Sequence, residues 1–480
     1  MCNFAIESAQ SLRMQGKDLT KGNLMTVMME FSIPYLCACF LQLLYSMADL
    51  YFVGKFCDVP TITAVTIGGQ VMHMLTVMIV GMAMGCTVCL ARAIGAKRYL
   101  EASTTIGNTI SLFMILSLPL TLLLVLCSEG IAHLMATPQE ALSHTITYLK
   151  ISFIGIPAIV GYNVMAAIYR GLGDSKSPMY FIAIACLCNI LLNYLFIAQF
   201  NMGGAGAALA TILSQCFSVA IAIITILIKN KGMNLQKSDF HLKKRITSKL
   251  LQIGTPIALQ DGFIQVSFII ITIIANCRGL VDSAAVGIVE RVIGILFLVP
   301  STLLSTVSAV SAQNLGSGLL ERARLTLRYS IIIAITFGTV ASIIFQFISK
   351  DVVAIFTTDP RVIISGEQYL MAYVWDCVLA GIHFCYSGYF CAQGKSVLSF
   401  IHNAISIVVA RIPLAYLASI TFPTTLYPMG LATLTGSLLS VIICAHFYRH
   451  YSHNFSFKNT IWVISFWWLL DYFCIFDASF

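Results

Sequence analysis

One acidic residue stands at the end of an apolar stretch of the sequence. Asp49 follows the segment VMMEFSIPYLCACFLQLLYSM, which is long and apolar enough to cross a membrane. Further along, Asn189 and Asn193 are four positions apart in CLCNILLNYLFI, and Ala207 and Thr211 are four apart in GAALATIL. Residues with this spacing share one helix face. The sequence therefore offers a carboxylate, two amides and a hydroxyl that neighbouring helices can bring together.

Three kinds of chemistry fit these residues. Carboxylate, amide and hydroxyl oxygens, with a backbone carbonyl, form a ligand set suited to a hard cation such as Na⁺ at Asp49, Asn189, Asn193 and Thr211. The same surroundings suit a carboxyl that binds and releases a proton. In the third interpretation, the polar groups only hydrogen-bond the helices to one another. The residue types alone do not separate the three.

The composition of the chain indicates the solvent around these residues. Of 480 residues, 58% are apolar and 10% are charged, whereas soluble domains have about 25% charged residues. Apolar runs of about 20 residues predict transmembrane helices, because lipid offers no partner to an unpaired backbone group. A β-barrel would alternate apolar and polar residues in segments of about ten. The chain is therefore predicted to be an all-α integral membrane protein.

Twelve transmembrane helices are predicted along the chain. They cover residues 24–53, 61–90, 103–127, 145–169, 178–199, 204–228, 252–277, 283–312, 325–349, 366–391, 396–421 and 428–448. The short apolar stretch 460–475 is either an interfacial segment or an additional span. The first 22 residues show no cleavable signal peptide, so the first helix is expected to target the chain itself.

Lysine and arginine are distributed unevenly between the two sides of this map. The N-terminus, alternate loops and the C-terminal tail carry 21 of them, and the loops on the other side carry 4. Cytoplasmic loops are enriched in basic residues, so both termini are expected to be cytoplasmic. The same loops hold most of the net charge of +8, which fits attraction to anionic lipid and not to nucleic acid.

The two halves of the sequence resemble each other at a nearly constant spacing. A shift of 221 positions aligns AVTIGGQV (64–71) with AVGIVERV (285–292), and a shift of 222 aligns SIP (32–34) with GTP (254–256). A common register predicts two copies of a six-helix unit. Because six is even, the copies run in the same direction and form two parallel-related bundles around a central cavity.

This architecture divides the chain into five predicted parts. They are a cytoplasmic segment 1–23, a first lobe 24–228, a cytoplasmic linker 229–249, a second lobe 250–450 and a tail 451–480. Two lobes facing a midplane site suit transport by alternating access. The sequence has no complete catalytic or phosphate-binding motif, which argues against an enzyme and favours an ion gradient as the energy source. Its 16 cysteines are scattered through apolar helices, so no cofactor is predicted.

The second lobe carries further polar candidates. A charged residue within a span costs several kcal/mol unless it is paired, hydrated or functional. Arg411 can compensate Asp376 or Asp261, and Arg291 can compensate Glu290, in a purely structural interpretation. The alternative is a second ion or substrate site, formed by Asp261, Gln265, Glu290 and Asp376.

Several segments together resemble a known transporter family. MEFSIPYLCACFLQLLYSMADLYFVGKF, YRGLGDSKSPMY and ARIPLAYL are similar to the multidrug and toxic compound extrusion (MATE) family, and the resemblance spans about residues 22 to 450. It implies an antiporter that exports amphipathic, often cationic, organic compounds in exchange for inward H⁺ or Na⁺. It also implies an essential role for Asp49, beside a cation site lined by Asn189, Asn193, Ala207 and Thr211. Related proteins often have Asp at the position of Asn193, which leaves the coupling ion open.

Pro34 is the expected bending point of the first helix. Proline leaves one carbonyl unbonded, so the helix can bend when an ion neutralises Asp49. The alternative function is a lipid-linked oligosaccharide flippase of the same broad superfamily, which needs a cavity rich in basic residues. Arg291 and Arg411 are the basic residues expected deep in the membrane, which disfavours that alternative. We expect a bacterial inner-membrane protein that functions as a monomer.

Overall fold

The computed structural model describes residues 17–228 and 235–453, and side chains within 17–225 and 235–450. Those residues are helical apart from short connections and contain no β-strand. A first compact unit covers Met1–Cys444 and a second covers Ala445–Phe480. In the second unit, the described residues are helical, and the rings of His446 and His450 stack with centroids 6.5 Å apart. The predicted segment 460–475 lies outside the described residues.

The first half of the chain folds into eight α-helices. They are α1 (Leu24–Phe56), α2 (Val59–Gly95), α3 (Tyr99–Leu126), α4 (Ser128–Leu134), α5 (Gln139–Ile154), α6 (Ile156–Gly171), α7 (Lys176–Asn193) and α8 (Gly203–Ile228). A π-helical turn, Tyr194–Gln199, continues α7. Local sequence explains the helix starts. Asp58, for example, caps α2, and hydrogen bonds from Thr61 hold the pKa of the Asp58 carboxyl below its usual value.

The second half is also a series of α-helices. A short 3₁₀ turn, Lys237–Phe240, precedes the first of them. Its helices are α9 (Lys244–Cys277), α10 (Leu280–Leu296), α11 (Leu298–Gly316), α12 (Leu320–Ala354), α13 (Pro360–Tyr373), α14 (Asp376–Ala392), α15 (Ser396–Ile405), α16 (Ile412–Thr421) and α17 (Tyr427–His453). A π-helical turn, Ser406–Arg411, joins α15 to α16. The helices α10 and α11 together form one apolar span.

The described residues contain ten spans by length and apolar character, or twelve if each bent pair counts as one span. The pair α5 and α6 bends by 48°, and the pair α13 and α14 bends by 42°. The first bend lies at Gly155, and Pro157, two residues later, cannot donate a backbone hydrogen bond. The all-α membrane fold is thereby confirmed. Many of the predicted helices were too short. The clearest case is α9, which begins at Lys244 and not at residue 252.

Glycines hold α2 of the first half against α9 and α11 of the second half. A Cβ atom on Gly95 would lie 1.9 Å from the carbonyl oxygen of Gln313, and one on Gly316 would lie 2.2 Å from that of Arg92. Small residues allow helix backbones to approach this closely in membranes. Gly95 and Gly316 are 221 positions apart, as are Arg92 and Gln313, so the two contacts follow the register of the repeat. This end of α2 is closed against the other half, and the predicted topology makes it the cytoplasmic end.

The segment between the halves is attached to α3, and the buried Asn108 side chain makes most of the hydrogen bonds. The Asn108 amide nitrogen donates to the backbone oxygens of Asp239 and His241 at 2.9 Å each, and its oxygen accepts from the Lys243 backbone N–H at 2.6 Å. Beside it, Gly107 leaves room for the chain, because a Cβ there would lie 2.4 Å from the Asp239 carbonyl oxygen. The connection is therefore packed on the first half.

Replacing Asn108 with alanine is expected to release this connection. The change removes three hydrogen bonds to backbone groups of half-buried or exposed residues, each of which contributes about 0.5–1.5 kcal/mol. We expect faster proteolysis between residues 229 and 249 and a lower melting temperature in detergent. Ser111→Ala is the matched control, since Ser111 makes one exposed bond to Phe240. Equal proteolysis of the two variants would contradict the attachment through Asn108.

Candidate functional site

The Asp49 carboxylate is the centre of a buried polar cluster between α1, α7 and α8. Asp49 is only 7% exposed, and the helix that carries it is otherwise largely apolar. One carboxylate oxygen accepts from the amide nitrogens of Asn189 at 3.0 Å and Asn193 at 2.6 Å. The other accepts from the Thr211 hydroxyl at 2.9 Å. Two helices, α7 and α8, thus direct three donors at a single acid on α1.

The positions of the donors follow from helix geometry. Asn189 and Asn193 lie one turn apart on α7, and the Asn193 amide nitrogen also donates to the Asn189 side-chain oxygen at 3.0 Å. Asn193 ends α7, where the chain changes to a π-helical turn, a feature that often marks functional sites. On α8, Ala207 is fully buried one turn before Thr211. The Tyr45 hydroxyl, one turn before Asp49 on α1, donates to the Thr211 backbone oxygen at 2.7 Å.

The charge of Asp49 is not balanced by a basic side chain among the described residues. The interactions on Asp49 come from the two amides and the hydroxyl, and no basic side chain in the described part of the chain neutralises it. The amides direct their nitrogen atoms at the carboxylate, whereas the predicted cation site would use their oxygen atoms. This arrangement stabilises a charged acid through charge-assisted hydrogen bonds. The Asn193 side-chain oxygen has no partner among the described residues, so one ligand oxygen remains free beside the acid.

Within the described part of the chain, the four second-lobe candidates form no hydrogen bonds with one another, although Glu290 and Asp376 both act on Tyr373. Asp261 on α9 faces α2, where a Cβ on Gly81 would lie 2.9 Å from its Oδ2 atom. Glu290 on α10 accepts from the Thr272 hydroxyl at 3.1 Å, and Asp376 begins α14 fully buried. Gln265 is half-buried on α9. Within the described ranges, no group of three His, Cys, Asp or Glu residues is placed to hold a metal ion.

Among the described residues, the direct ion pairs considered for the second lobe are not formed. The Arg411 guanidinium donates to the Tyr373 hydroxyl at 2.5 Å and lies over the Phe268 ring at 4.9 Å. Its charge acts on Asp376 and Glu290 without an ion pair to either acid in the described part of the chain. Arg291, adjacent in sequence to Glu290, points to the exposed surface of α10. Arg411 therefore contacts the aromatic residues Tyr373 and Phe268, where a carboxylate partner was expected.

Sequence reasoning missed a buried histidine pair in the second half. The rings of His383 on α14 and His402 on α15 have centroids 5.7 Å apart. His402 bridges two hydroxyls, with Ser387 2.9 Å from its Nε2 atom and Ser440 2.6 Å from its Nδ1 atom. Histidine is rare inside apolar spans, so its presence there was a usable signal. These contacts tie α14, α15 and α17 together.

A second missed residue is Arg170. The sequence placed it in a cytoplasmic loop, but it lies in the last turn of α6 and is 4% exposed. Its Nε and Nη2 atoms are buried and have no hydrogen-bond partner among the described residues. The basic residues expected deep in the membrane, Arg291 and Arg411, thus did not include Arg170, which is as buried in the protein as Arg411.

Comparisons with known proteins agree with this architecture. The family model MatE matches residues 34–195 and again 256–417, so the second match begins 222 positions after the first and confirms the repeat. A Bacillus subtilis protein, "Probable multidrug resistance protein YpnP", is 28% identical over 85% of this chain and 91% of its own. The "FAD transporter" of Shewanella oneidensis is 25% identical over 85% of this chain and 92% of its own. The crystal structure of a MATE protein in complex with MaL6 superposes with a TM-score of 0.85 at 22% identity, covering 91% of this chain and 98% of that one.

Proposed function

The chain belongs to the MatE family of multidrug efflux transporters, and on that premise we propose that it is a secondary antiporter. It exports amphipathic, mainly cationic, organic compounds in exchange for inward H⁺ or Na⁺. The observation that carries the proposal is Asp49, a buried acid with three hydrogen-bond donors and no neutralising base among the described residues. A site with these properties attracts a small cation from water.

Neutralisation of Asp49 is the proposed trigger of transport. A proton or Na⁺ on the carboxylate removes the charge that Asn189, Asn193 and Thr211 stabilise, so these hydrogen bonds weaken. The Asn193 side-chain oxygen is available to a bound cation. α1 then repacks about Pro34, the proline inside that helix. One monovalent cation moving inward across 100 mV supplies about 2.3 kcal/mol, and its concentration gradient adds to this.

Alternating access assigns complementary roles to the two lobes, 24–228 and 250–450. The close contact of Gly95 with Gln313 supports a state that is closed at the proposed cytoplasmic side. Export requires this contact to open so that substrate can enter, and to close again before substrate leaves outward. In this proposal both termini face the cytoplasm, the membrane is a bacterial inner membrane and the monomer is the transporting unit.

The function is tested in proteoliposomes that contain the full chain. Ethidium flux is measured by fluorescence while a Na⁺ gradient and a proton gradient are imposed separately and then together. We expect uphill ethidium movement with one or both gradients and none without a gradient. Equal flux in all four conditions would identify a passive pathway and contradict antiport. Binding of ethidium without net flux would indicate a sensor.

A further inference from the structure

Arg170 is a buried cation that the coupling mechanism does not use. An arginine near the end of a membrane helix normally extends towards the headgroups, where its charge is hydrated. Arg170 stands in the last turn of α6 but packs inward, with its guanidinium 5.2 Å from the centre of the Tyr35 ring on α1. Its side chain is therefore turned towards α1 and is covered by the protein.

No acidic side chain in the described ranges compensates this charge. The groups that feel its charge are neutral: the Tyr35 and Tyr162 hydroxyls and the Cys39 and Cys86 thiols. The Nε and Nη2 atoms make no hydrogen bond there. A cation–π contact offsets part of the cost of burial, but it leaves these N–H groups unsatisfied. A buried arginine with two free donors is arranged to receive an anion.

The place is a junction between the two halves of the protein. Tyr35 and Cys39 lie on α1, and Tyr162 and Arg170 lie on α6. Across from them on α11, Thr302 lies near Cys39 and Ser305 lies near the Tyr35 hydroxyl. The Ser305 hydroxyl is buried and does not reach hydrogen-bonding geometry with any described residue. Unsatisfied donors from both halves therefore face the same region.

We propose that Arg170, with Ser305, binds an anionic group of the exported compound, a carboxylate or a phosphate, at the junction of the two halves when the lobes part. This proposal rests on the proposed function and extends its substrate class from cations to amphipathic compounds that carry a negative group. The planar guanidinium fork matches two oxygens of such a group, which a lysine would not do. The Ser305 hydroxyl supplies a further donor from the opposite half.

The position of Tyr35 connects this site to the ion site. In the present structure its ring covers the guanidinium. Tyr35 follows Pro34 directly, so bending of α1 at Pro34 moves the ring relative to α6. Ion binding at Asp49, on the same helix, would thus change the access of an anion to Arg170. When the Tyr35 ring covers Arg170, the affinity for the anionic substrate is low. When the ring moves away, the affinity is high.

The test compares two probes that differ in one group. Rhodamine 110 carries a free carboxylate, and rhodamine 123 is its methyl ester. Binding of each to the purified full chain is measured by fluorescence polarisation in detergent with neutral lipid, and the affinity ratio of acid to ester is recorded. We expect Arg170→Gln to lower that ratio about tenfold or more, because a charge-assisted hydrogen bond is lost. Arg170→Lys should lower it less, since the charge remains and the fork does not.

A matched control is Arg98→Gln, whose side chain is 70% exposed and which should leave the ratio unchanged. An unchanged ratio in Arg170→Gln would overturn the proposal. If that variant fails to insert, an unchanged ratio in both Arg170→Lys and Ser305→Ala would overturn it equally. Efflux of rhodamine 123 by the wild type is measured in parallel. Its absence would refute the transport function, whereas the ratio reports on the anion site alone.

A third arm separates substrate from lipid as the source of the anion. Phosphatidylglycerol is added to the neutral lipid in increasing amounts. If the acid keeps its advantage over the ester, the site belongs to the substrate, as proposed. If the advantage disappears in proportion to the anionic lipid, a headgroup occupies Arg170 and the assignment to substrate is wrong.

Discussion

Asp49→Asn is expected to reduce gradient-driven ethidium efflux to the level of vesicles without protein. Asparagine has the size of aspartate but cannot hold a proton or neutralise a cation, so the proposed trigger is removed. The three donors from Asn189, Asn193 and Thr211 would then face a neutral amide, which accepts weaker hydrogen bonds than a carboxylate. Efflux is measured in proteoliposomes under imposed Na⁺ and proton gradients, with insertion checked by size-exclusion chromatography.

Glu30→Gln supplies the matched control for this change. Glu30 lies on the same helix, α1, but it is exposed and pairs with Lys17 at the surface. Exposed ion pairs contribute about 0–1 kcal/mol, so we expect efflux close to that of the wild type. Wild-type efflux in Asp49→Asn would rule out the assigned role of Asp49. A defect of equal size in both variants would point to a general loss of α1 packing.

Gly95→Ala is expected to give the second largest effect, through the contact between the halves. The new methyl carbon would lie 1.9 Å from the Gln313 carbonyl oxygen, where about 3 Å or more is needed, so α2 and α11 must separate. We expect a cost of about 1–3 kcal/mol in the closed state. The transporter should then favour the opposite state, with ethidium efflux reduced about tenfold. Gly316→Ala should act alike, because its Cβ would meet the Arg92 carbonyl oxygen.

Gly69→Ala is the control on the same helix. Nothing lies within 4 Å of a Cβ at Gly69, so the added methyl group has open space. Alanine is a better helix former than glycine by up to about 1 kcal/mol, so the melting temperature should stay equal or rise. Opposite changes of stability in Gly69→Ala and Gly95→Ala are predicted. A neutral result for Gly95→Ala would mean that the contact with Gln313 does not hold the closed state.

The large-scale fold could be predicted because it depends on sequence features that are visible locally or that repeat along the chain. Apolar runs define the spans, and one register relates the halves, as the MatE matches at 34–195 and 256–417 confirm. The four-residue spacing of Asn189 and Asn193 also places both amides on one face before any tertiary contact is known. Their meeting with Asp49 depends on helix packing, which the sequence suggested through residue type and family resemblance.

Features that depend on tertiary packing were not predictable in the same way. The sequence gives no signal for the direction in which an amide points, so the two nitrogens facing Asp49 were unexpected. Arg170 looked like a loop residue because its position near a helix end does not reveal that its side chain turns inward. Arg411 offered carboxylate partners in sequence, but in the structure its guanidinium contacts Tyr373 and Phe268. The depth and partners of a side chain are tertiary properties.

The central claim is that a cation at Asp49 drives export, and simultaneous measurement of both fluxes tests it most directly. Ethidium export and inward movement of radioactive Na⁺ or of protons are recorded in the same proteoliposomes for the wild type and Asp49→Asn. The account predicts that cation influx accompanies ethidium export at a fixed ratio in the wild type, and that both disappear together in the variant. Uphill ethidium export by Asp49→Asn, or wild-type export without cation influx, would contradict it.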